Sequence, residues 1–233
     1  MSREQNNLPE MGAALHAGGP VGILLAAGRG SRFDDSGRQS KLLALLPDGS
    51  SKGSPTGSPK GTPVALASAQ HLLQCCARVL AVLPQHAAPP RDQHVAALVG
   101  LLASAGCEIL FCEESDAGLG HSLAAGVRAT PDAAGWLVAL ADMPAIQAQT
   151  IGKISAACNK PGSIAVPVHD GQRGHPVAFG SAYYDQLIAL RGDTGARSVL
   201  RANAAAVIEV PCADPGILRD IDTAQDLADY RLQ

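Results

Sequence analysis

The sequence predicts an α/β fold: a mostly parallel, mixed sheet with helices on both faces. Two observations carry this. Short, nearly continuous apolar runs alternate with longer segments whose apolar residues recur at helical spacing, as expected of strands buried on both sides by crossover helices. Segments rich in glycine and charge fall directly after several of the apolar runs, at the carboxyl ends of strands, where ligands of such sheets bind.

The elements follow in order. Val21–Ala27 reads as the first strand, Pro63–Cys76 as a helix through Val64, Leu66, Ala67, Leu72 and Leu73, and Val79–Leu83 as the second strand. Asp92–Ala105 reads as a helix through Val95, Leu98, Val99, Leu101 and Leu102, and Glu108–Cys112 as the third strand. Ser122–Ala129 is helical after Gly118-Leu119-Gly120, Trp136–Ala141 is the fourth strand, and Gln149–Ala157 is helical after Pro144. Ser163–Val168, Pro176–Phe179 and Val207–Val210 complete the strands. The later strands have shorter connections, which suits an antiparallel element there. Ala196–Ala202 and Ala224–Leu232 read as short helices.

A chain of 233 residues suits one domain, here 20–233, with a full core. Residues 1–19 lack a sustained apolar run and carry Glu4 and Glu10, so they read as a flexible tail and not a signal peptide. Residues 48–62, DGSSKGSPTGSPKGT, read as a flexible inserted loop. A net charge of −3 and only seven aromatic residues argue against nucleic-acid binding. No apolar stretch is long enough to span a membrane. The six cysteines lack zinc spacing and read as small hydrophobes in a reducing cytoplasm.

The chemistry concentrates in Leu25-Ala26-Ala27-Gly28-Arg29-Gly30-Ser31-Arg32-Phe33, followed by Lys41. Without side-chain bulk, Gly28 and Gly30 let backbone N–H groups approach a polyphosphate. Arg32 and Lys41 add positive charge beside that cradle. No Gly-Lys-Ser/Thr follows, as a Walker loop requires, and the third glycine of the dinucleotide fingerprint is missing. The stretch resembles the L-A-A-G-x-G-x-R…K signature of nucleotidyltransferases, and within them the molybdenum cofactor cytidylyltransferases and their MobA-like guanylyltransferase relatives. That resemblance implies a three-layer Rossmann-like nucleotidyltransferase fold. It implies Leu25, Ala26, Ala27, Gly28, Gly30, Arg32, Lys41 and Ser122 as nucleotide-binding residues, with Lys41, Arg32 and Asp142 catalytic.

Nucleotidyl transfer sets an anionic phosphate against an α-phosphate, and a bridging Mg²⁺ offsets the repulsion. Such an ion needs one or two protein carboxylates. Asp142 ends the fourth strand in Leu140-Ala141-Asp142-Met143-Pro144 and is either a ligand or the cap of the following helix. Asp220-Ile221-Asp222-Thr223 offers a second site, where Asp222 or Thr223 is equally suited to cap the last helix. The resemblance favours Asp142 and Asp222 as the metal ligands.

Further motifs extend the resemblance from residue 25 to residue 227. Gly118-Leu119-Gly120-His121-Ser122-Leu123-Ala124-Ala125-Gly126 matches a G-x-x-x-S-L-x-x-G element facing ribose or base, with Ser122 otherwise a helix cap. His175-Pro176 in Arg173-Gly174-His175-Pro176, and Arg197 in Gly192-Asp193-Thr194-Gly195-Ala196-Arg197, resemble the elements lining the acceptor. A phosphate nucleophile is already ionised, so His175 is not needed as a base. The implied reaction is transfer of CMP from CTP, favoured over GTP by Ala27, to the phosphate of a molybdopterin-type cofactor, releasing pyrophosphate. The implied recipient of the product is a molybdenum hydroxylase or its maturation chaperone. The alternatives are a GTP-dependent or sugar-phosphate nucleotidyltransferase, or a non-catalytic protein that binds and delivers the cofactor.

Overall fold

A computed structural model describes residues 19–28, 30–46 and 61–230. Arg29, the tail through residue 18, residues 47–60, which take in most of the proposed 48–62 loop, and residues 231–233, which include the end of the predicted last helix, lie outside the described residues.

One sheet runs through the chain. Its strands are β1 (Val21–Leu25), β2 (Val79–Pro84), β3 (Glu108–Cys112), β4 (Gly135–Leu140), β5 (Ile164–His169), β6 (Gln172–Arg173), β7 (Val177–Gly180) and β8 (Val207–Pro211). The order across the sheet is β3-β2-β1-β4-β7-β5-β6, with β8 paired to β5. β1, β2, β3 and β4 run parallel, as do β5 and β8, whereas β7 is antiparallel to both β4 and β5. The sheet is therefore mostly parallel and mixed, with its antiparallel element among the later strands, as the short connections predicted.

Alternation along each strand divides the core into two layers. Leu24 and Leu137 join Leu72, Leu98, Leu102 and Ile154 on the face covered by α1 (Val64–Leu73), α2 (Arg91–Ser104) and α4 (Ala148–Ala157). Ile23, Leu25, Trp136, Val138 and Phe179 join Leu123 and Leu187 on the face covered by α3 (Leu119–Arg128) and α5 (Tyr184–Ile188). Trp136 is fully buried, and its indole N–H donates to Thr130 Oγ1 at 2.9 Å, so its one polar atom is satisfied. Two short helices, α6 (Arg197–Ala202) and α7 (Ala224–Asp229), follow.

All seven predicted strands are present. β6 and α5 were not predicted: β6 has two residues and α5 five, too few for a period to register. The β5–β6 hairpin turns on Asp170-Gly171, whose φ values are 48° and 75°. An Asp-Gly pair at positive φ marks such a turn in any sequence.

The strand order reverses direction between β1 and β4. β2 and β3 lie on one side of β1, and β4 lies on the other. Leu25 pairs with Leu140 in register, and Ala141 N–H donates to the Leu25 carbonyl at 3.1 Å. The turn after β1 and the turn after β4 thus open side by side, at the crevice where sheets of this kind bind ligands.

Candidate active site

Three chain segments meet at that crevice. Ala26 and Ala27 leave β1 buried, Gly28 emerges to solvent, and Gly30 takes a left-handed φ of 66° that suits glycine. Lys41 follows in a buried turn. Asp142 comes from the end of β4. Asp220 and Asp222 arrive from the segment ahead of α7, tied in by the Ile221 N–H, which donates to the Asp142 carbonyl at 2.9 Å. Together with Leu25, Leu140, Ser31, Arg32 and Leu119 they line a cleft of ≈ 360 Å³.

Lys41 is its electrostatic centre. Its ammonium donates to Asp142 Oδ2 at 2.6 Å and to Asp222 Oδ1 at 2.8 Å. Burial alone would lower its pKa, but the two carboxylates outweigh that and hold it above the usual lysine value. Arg32, largely exposed, reaches Asp222 Oδ2 at 2.8 Å. Asp222 is pushed up by burial and pulled down further by Lys41, Asp220 and Arg32, so its pKa lies below the ordinary carboxylate range. Asp220 goes the other way: partial burial and the adjacent Asp222 charge raise it.

The capping alternatives resolve locally. Thr223 is the N-cap of α7 and forms a reciprocal capping box with Asp226. Asp226 Oδ2 accepts from the N–H groups of Asp222 and Thr223 at 3.1 and 2.7 Å, which leaves the Asp222 carboxylate for Lys41 and Arg32. Asp142 caps no helix: α4 begins after Gln147, with no side-chain cap. Ser122 is not a cap either, because α3 begins three residues earlier, at Leu119, and encloses it. The N-cap of α6 is Ala196, so Asp193 caps no helix there.

Asp142 Oδ1 is buried and has no hydrogen-bond partner. Among the described residues, no group of three or more His, Cys, Asp or Glu side chains is spaced to hold a metal ion by itself. Two carboxylates with one unused oxygen fit a hard cation that takes its other ligands from phosphate and water.

A second cleft, of ≈ 300 Å³, adjoins the first at Gly28 and Leu119 and is lined by Ala27, Ser115, Asp116, Gly118, Ser122 and Asp193. The Gly192–Arg197 element packs directly against it, with the Gly120 N–H donating to the Gly192 carbonyl at 2.8 Å. His175 and Pro176 lie between β6 and β7. They and Arg197 line neither of the two clefts. Burial is the main influence lowering the His175 pKa, with Asp142 raising it and Arg197 lowering it. His175 Nδ1 is buried and unpartnered. Arg197 opens α6 and is exposed.

Sequence reasoning missed Asp116, Asp193 and Ser115 on the wall of the second cleft, and Arg91, which donates to the Ala27 carbonyl and to Asp116. Gly118, two residues after Asp116, and Gly192 and Gly195 around Asp193 were the available signal for those two. Arg91 opens an ordinary helix and carries no local signature.

A doubly wound sheet with a glycine turn, a lysine and paired aspartates at its switch point defines a nucleotide-handling α/β protein. The model of the MobA-like NTP transferase domain matches residues 22–207, and the chain belongs to that family. It is 31% identical over 220 residues to the nicotine blue oxidoreductase of Paenarthrobacter nicotinovorans, covering 91% of this chain and 95% of that protein. It is 34% identical over 120 residues to the purine catabolism protein PucB of Bacillus subtilis strain 168, which takes in 49% of this chain and 57% of PucB. Among solved structures, a nucleotidyl transferase of Methanothermobacter superposes with a TM-score of 0.70 at 20% identity, over 91% of this chain and 95% of that one. Rv0371c of Mycobacterium tuberculosis, in complex with manganese, superposes with a TM-score of 0.64 at 21% identity, over 91% and 97%. These two likenesses establish the Rossmann-like nucleotidyltransferase fold. No described helix is long and apolar enough to cross a membrane.

Proposed function

We propose that this protein transfers CMP from CTP to the terminal phosphate of a molybdopterin-type cofactor and releases pyrophosphate. The observation that carries the reading is the Lys41 ammonium held between Asp142 and Asp222 at the mouth of the glycine turn. In this reading the 26–30 turn receives the triphosphate, with Arg32 and Lys41 offsetting its charge. Ser122 faces the nucleoside. His175, Pro176 and Arg197 lie on the acceptor side, where a guanidinium can grip a phosphate through a forked pair of hydrogen bonds.

Asp142 and Asp222 would hold Mg²⁺, and the unused Asp142 Oδ1 is the atom that fits this role. The ion supplies charge neutralisation between nucleophile and triphosphate. An acceptor-phosphate oxygen forms a bond to the α-phosphorus. The bond from that phosphorus to the bridging oxygen of the β-phosphate breaks, and pyrophosphate leaves with the electron pair. No proton moves in this step, so no base is required. Six free thiols accord with a reducing, cytoplasmic setting.

Ala27 in place of a second glycine supports CTP over GTP. The test is competition between the two at equal concentration, with molybdopterin-type cofactor and Mg²⁺, reading dinucleotide product and pyrophosphate. Cytosine product is expected. Mainly guanine product overturns the base assignment, and turnover with sugar phosphates alone overturns the acceptor. Tight cofactor binding without pyrophosphate release would make the protein a carrier. The 31% likeness to nicotine blue oxidoreductase calls for one more arm: reduction of an added dye by a reduced nicotinamide dinucleotide, without pyrophosphate release, would replace transfer with redox chemistry.

A further inference from the structure

Arg91 crosses between the two walls of the second cleft. Its guanidinium donates through Nη2 to the Ala27 carbonyl at 2.9 Å and through Nη1 to Asp116 Oδ1 at 3.0 Å. Ala27 and Gly28 form one wall, after β1. Ser115 and Asp116 belong to the other, in a 3-10 turn after β3. These walls are separated by β2 in the sheet order, so the sheet's own ladder does not join them directly at that height. Arg91 is placed to span the gap because it is the first residue of α2, just beyond the end of β2. The Arg91 side chain is 23% exposed and Asp116 46%, so the contact with the Ala27 carbonyl is the better shielded of the two.

We propose that Arg91 is a positioning residue that sets the width of the nucleoside cleft. The inference rests on the nucleotidyltransferase reading above. A planar fork with two donors in fixed geometry can hold two acceptors at one separation, whereas a lysine ammonium on a flexible stem cannot. The Ala27 carbonyl belongs to the turn assigned to the triphosphate. The same contact therefore fixes the nucleoside wall relative to the phosphate cradle. A cleft of fixed width leaves the wrong base with unpaired polar edges, which is the costly kind of mismatch. Arg91 lines neither of these two clefts but a smaller pocket of ≈ 50 Å³ behind the glycine turn, with Gly28, Gly30 and Lys41. Its guanidinium is engaged by Ala27 and Asp116, so its loss weakens nucleotide binding more than the chemical step.

The test uses Arg91→Lys and Arg91→Met in the full chain, with CTP and GTP each varied at saturating acceptor and Mg²⁺. The expected result is a rise of about tenfold in KM for the preferred nucleotide, equivalent to losing one charge-assisted hydrogen bond. kcat should stay within about threefold, and the ratio of kcat/KM between the two nucleotides should fall. Arg91→Lys should melt within a few degrees of wild type, which separates positioning from stability. Asp116→Asn combined with Arg91→Met should cost less than the sum of the two single changes, because both act on one bridge. Wild-type KM and an unchanged nucleotide ratio in both Arg91 variants overturn the inference. So does a loss of kcat alone, or a loss of activity that tracks unfolding in both. A wild-type protein that transfers no nucleotidyl group overturns the underlying reading, and this inference with it, and so the two failures are distinct.

Discussion

Lys41 Nζ lies 2.6 Å from Asp142 Oδ2, an ion pair between residues 101 positions apart, and the same ammonium meets Asp222 at 2.8 Å. One buried cation therefore closes a triangle made by the turn after β1, the end of β4 and the segment ahead of α7. Without it, two carboxylates would face each other across a partly desolvated cleft. Lys41 thus holds the cleft together, in addition to the charge proposed for it toward a substrate.

Replacing Lys41 with Met keeps the stem and removes the charge. Breaking a buried pair costs about 3–5 kcal/mol. The carboxylates are 19% and 16% exposed, so a loss near the low end, about 3 kcal/mol, is expected. For a chain of this size that is a fall of about 6–12 °C in Tm. Added Mg²⁺ should restore part of the loss, since a bound cation stabilises the folded state by mass action. Transfer should remain lost. A melt indifferent to both the substitution and the ion would remove Lys41 from this role.

Asp142→Asn preserves shape and withdraws charge from both Lys41 and the proposed cation. Transition-state stabilisation should fall by roughly 2–4 kcal/mol, on the scale of losing one preorganised electrostatic contact. The readout is kcat at saturating Mg²⁺. Turnover at the wild-type rate would refute the assignment.

The Leu25–Lys41 signature was legible because its glycines act locally, on the backbone that carries them, although the partners of Lys41 lie 101 and 181 positions on. Asp142 was legible as the residue that stops an apolar run. The Asp220–Thr223 segment looked ambiguous because one motif serves two purposes. The structure divides them between neighbours, with Thr223 capping α7 while Asp222 pairs with Lys41. Arg91 was not legible: its partners lie 64 positions before it and 25 after it, and no local period encodes a contact of that kind. The packing of Gly118 and Gly120 on the 191–192 backbone is equally long-range.

The pH response follows from the carboxylates. The raised Asp220 pKa means that the folded state binds an extra proton fraction above pH 3.8. Asp220 therefore destabilises the fold as pH rises through its folded value and beyond. The lowered Asp222 pKa works oppositely: its stabilisation is present above 3.8 and lost as pH falls through its folded value. Lys41, raised, stabilises fully below 10.5 and loses its effect as pH rises through its folded value. Asp220→Asn should therefore raise Tm at neutral pH without added metal. Asp220 is exposed, and solvent screening limits the gain to about 0.5 kcal/mol, or about 1–2 °C. The gain should vanish near pH 3. A lower Tm at pH 7 would contradict the like-charge account.

The segment proposed as an insertion should be dispensable. Its flanks are joined without it: Leu45 bridges Pro63, the Leu46 N–H donates to the Thr62 carbonyl at 3.0 Å, and the Val64 N–H donates to the Ala44 carbonyl at 3.0 Å. Deleting 50–60 shortens a closed connection, and each halving of loop length favours folding by about 0.6 kcal/mol. A chemical melt should show a small gain, with transfer activity retained. Insoluble expression would count against it.

Two glycines near the clefts should respond in opposite ways to the same change. A Cβ at Gly118 would sit 2.3 Å from the Gly192 carbonyl carbon and 2.6 Å from Asp193 Oδ1, at a φ of 125° that L side chains rarely adopt. Gly118→Ala must therefore push the Gly192 backbone and the Asp193 carboxylate away from α3, and it should lower Tm by several degrees. A Cβ at Gly28 meets nothing within 4 Å, and its φ is not in the positive range. Gly28→Ala should leave Tm unchanged or slightly raised, since it restricts only the unfolded chain. The methyl enters the space where the two clefts meet, beside the backbone assigned to the triphosphate. KM for the nucleotide should rise by about tenfold or more, in a protein that melts like wild type. If Gly28→Ala binds nucleotide normally, the polyphosphate does not approach that turn, and the cradle must lie elsewhere along the 26–32 segment.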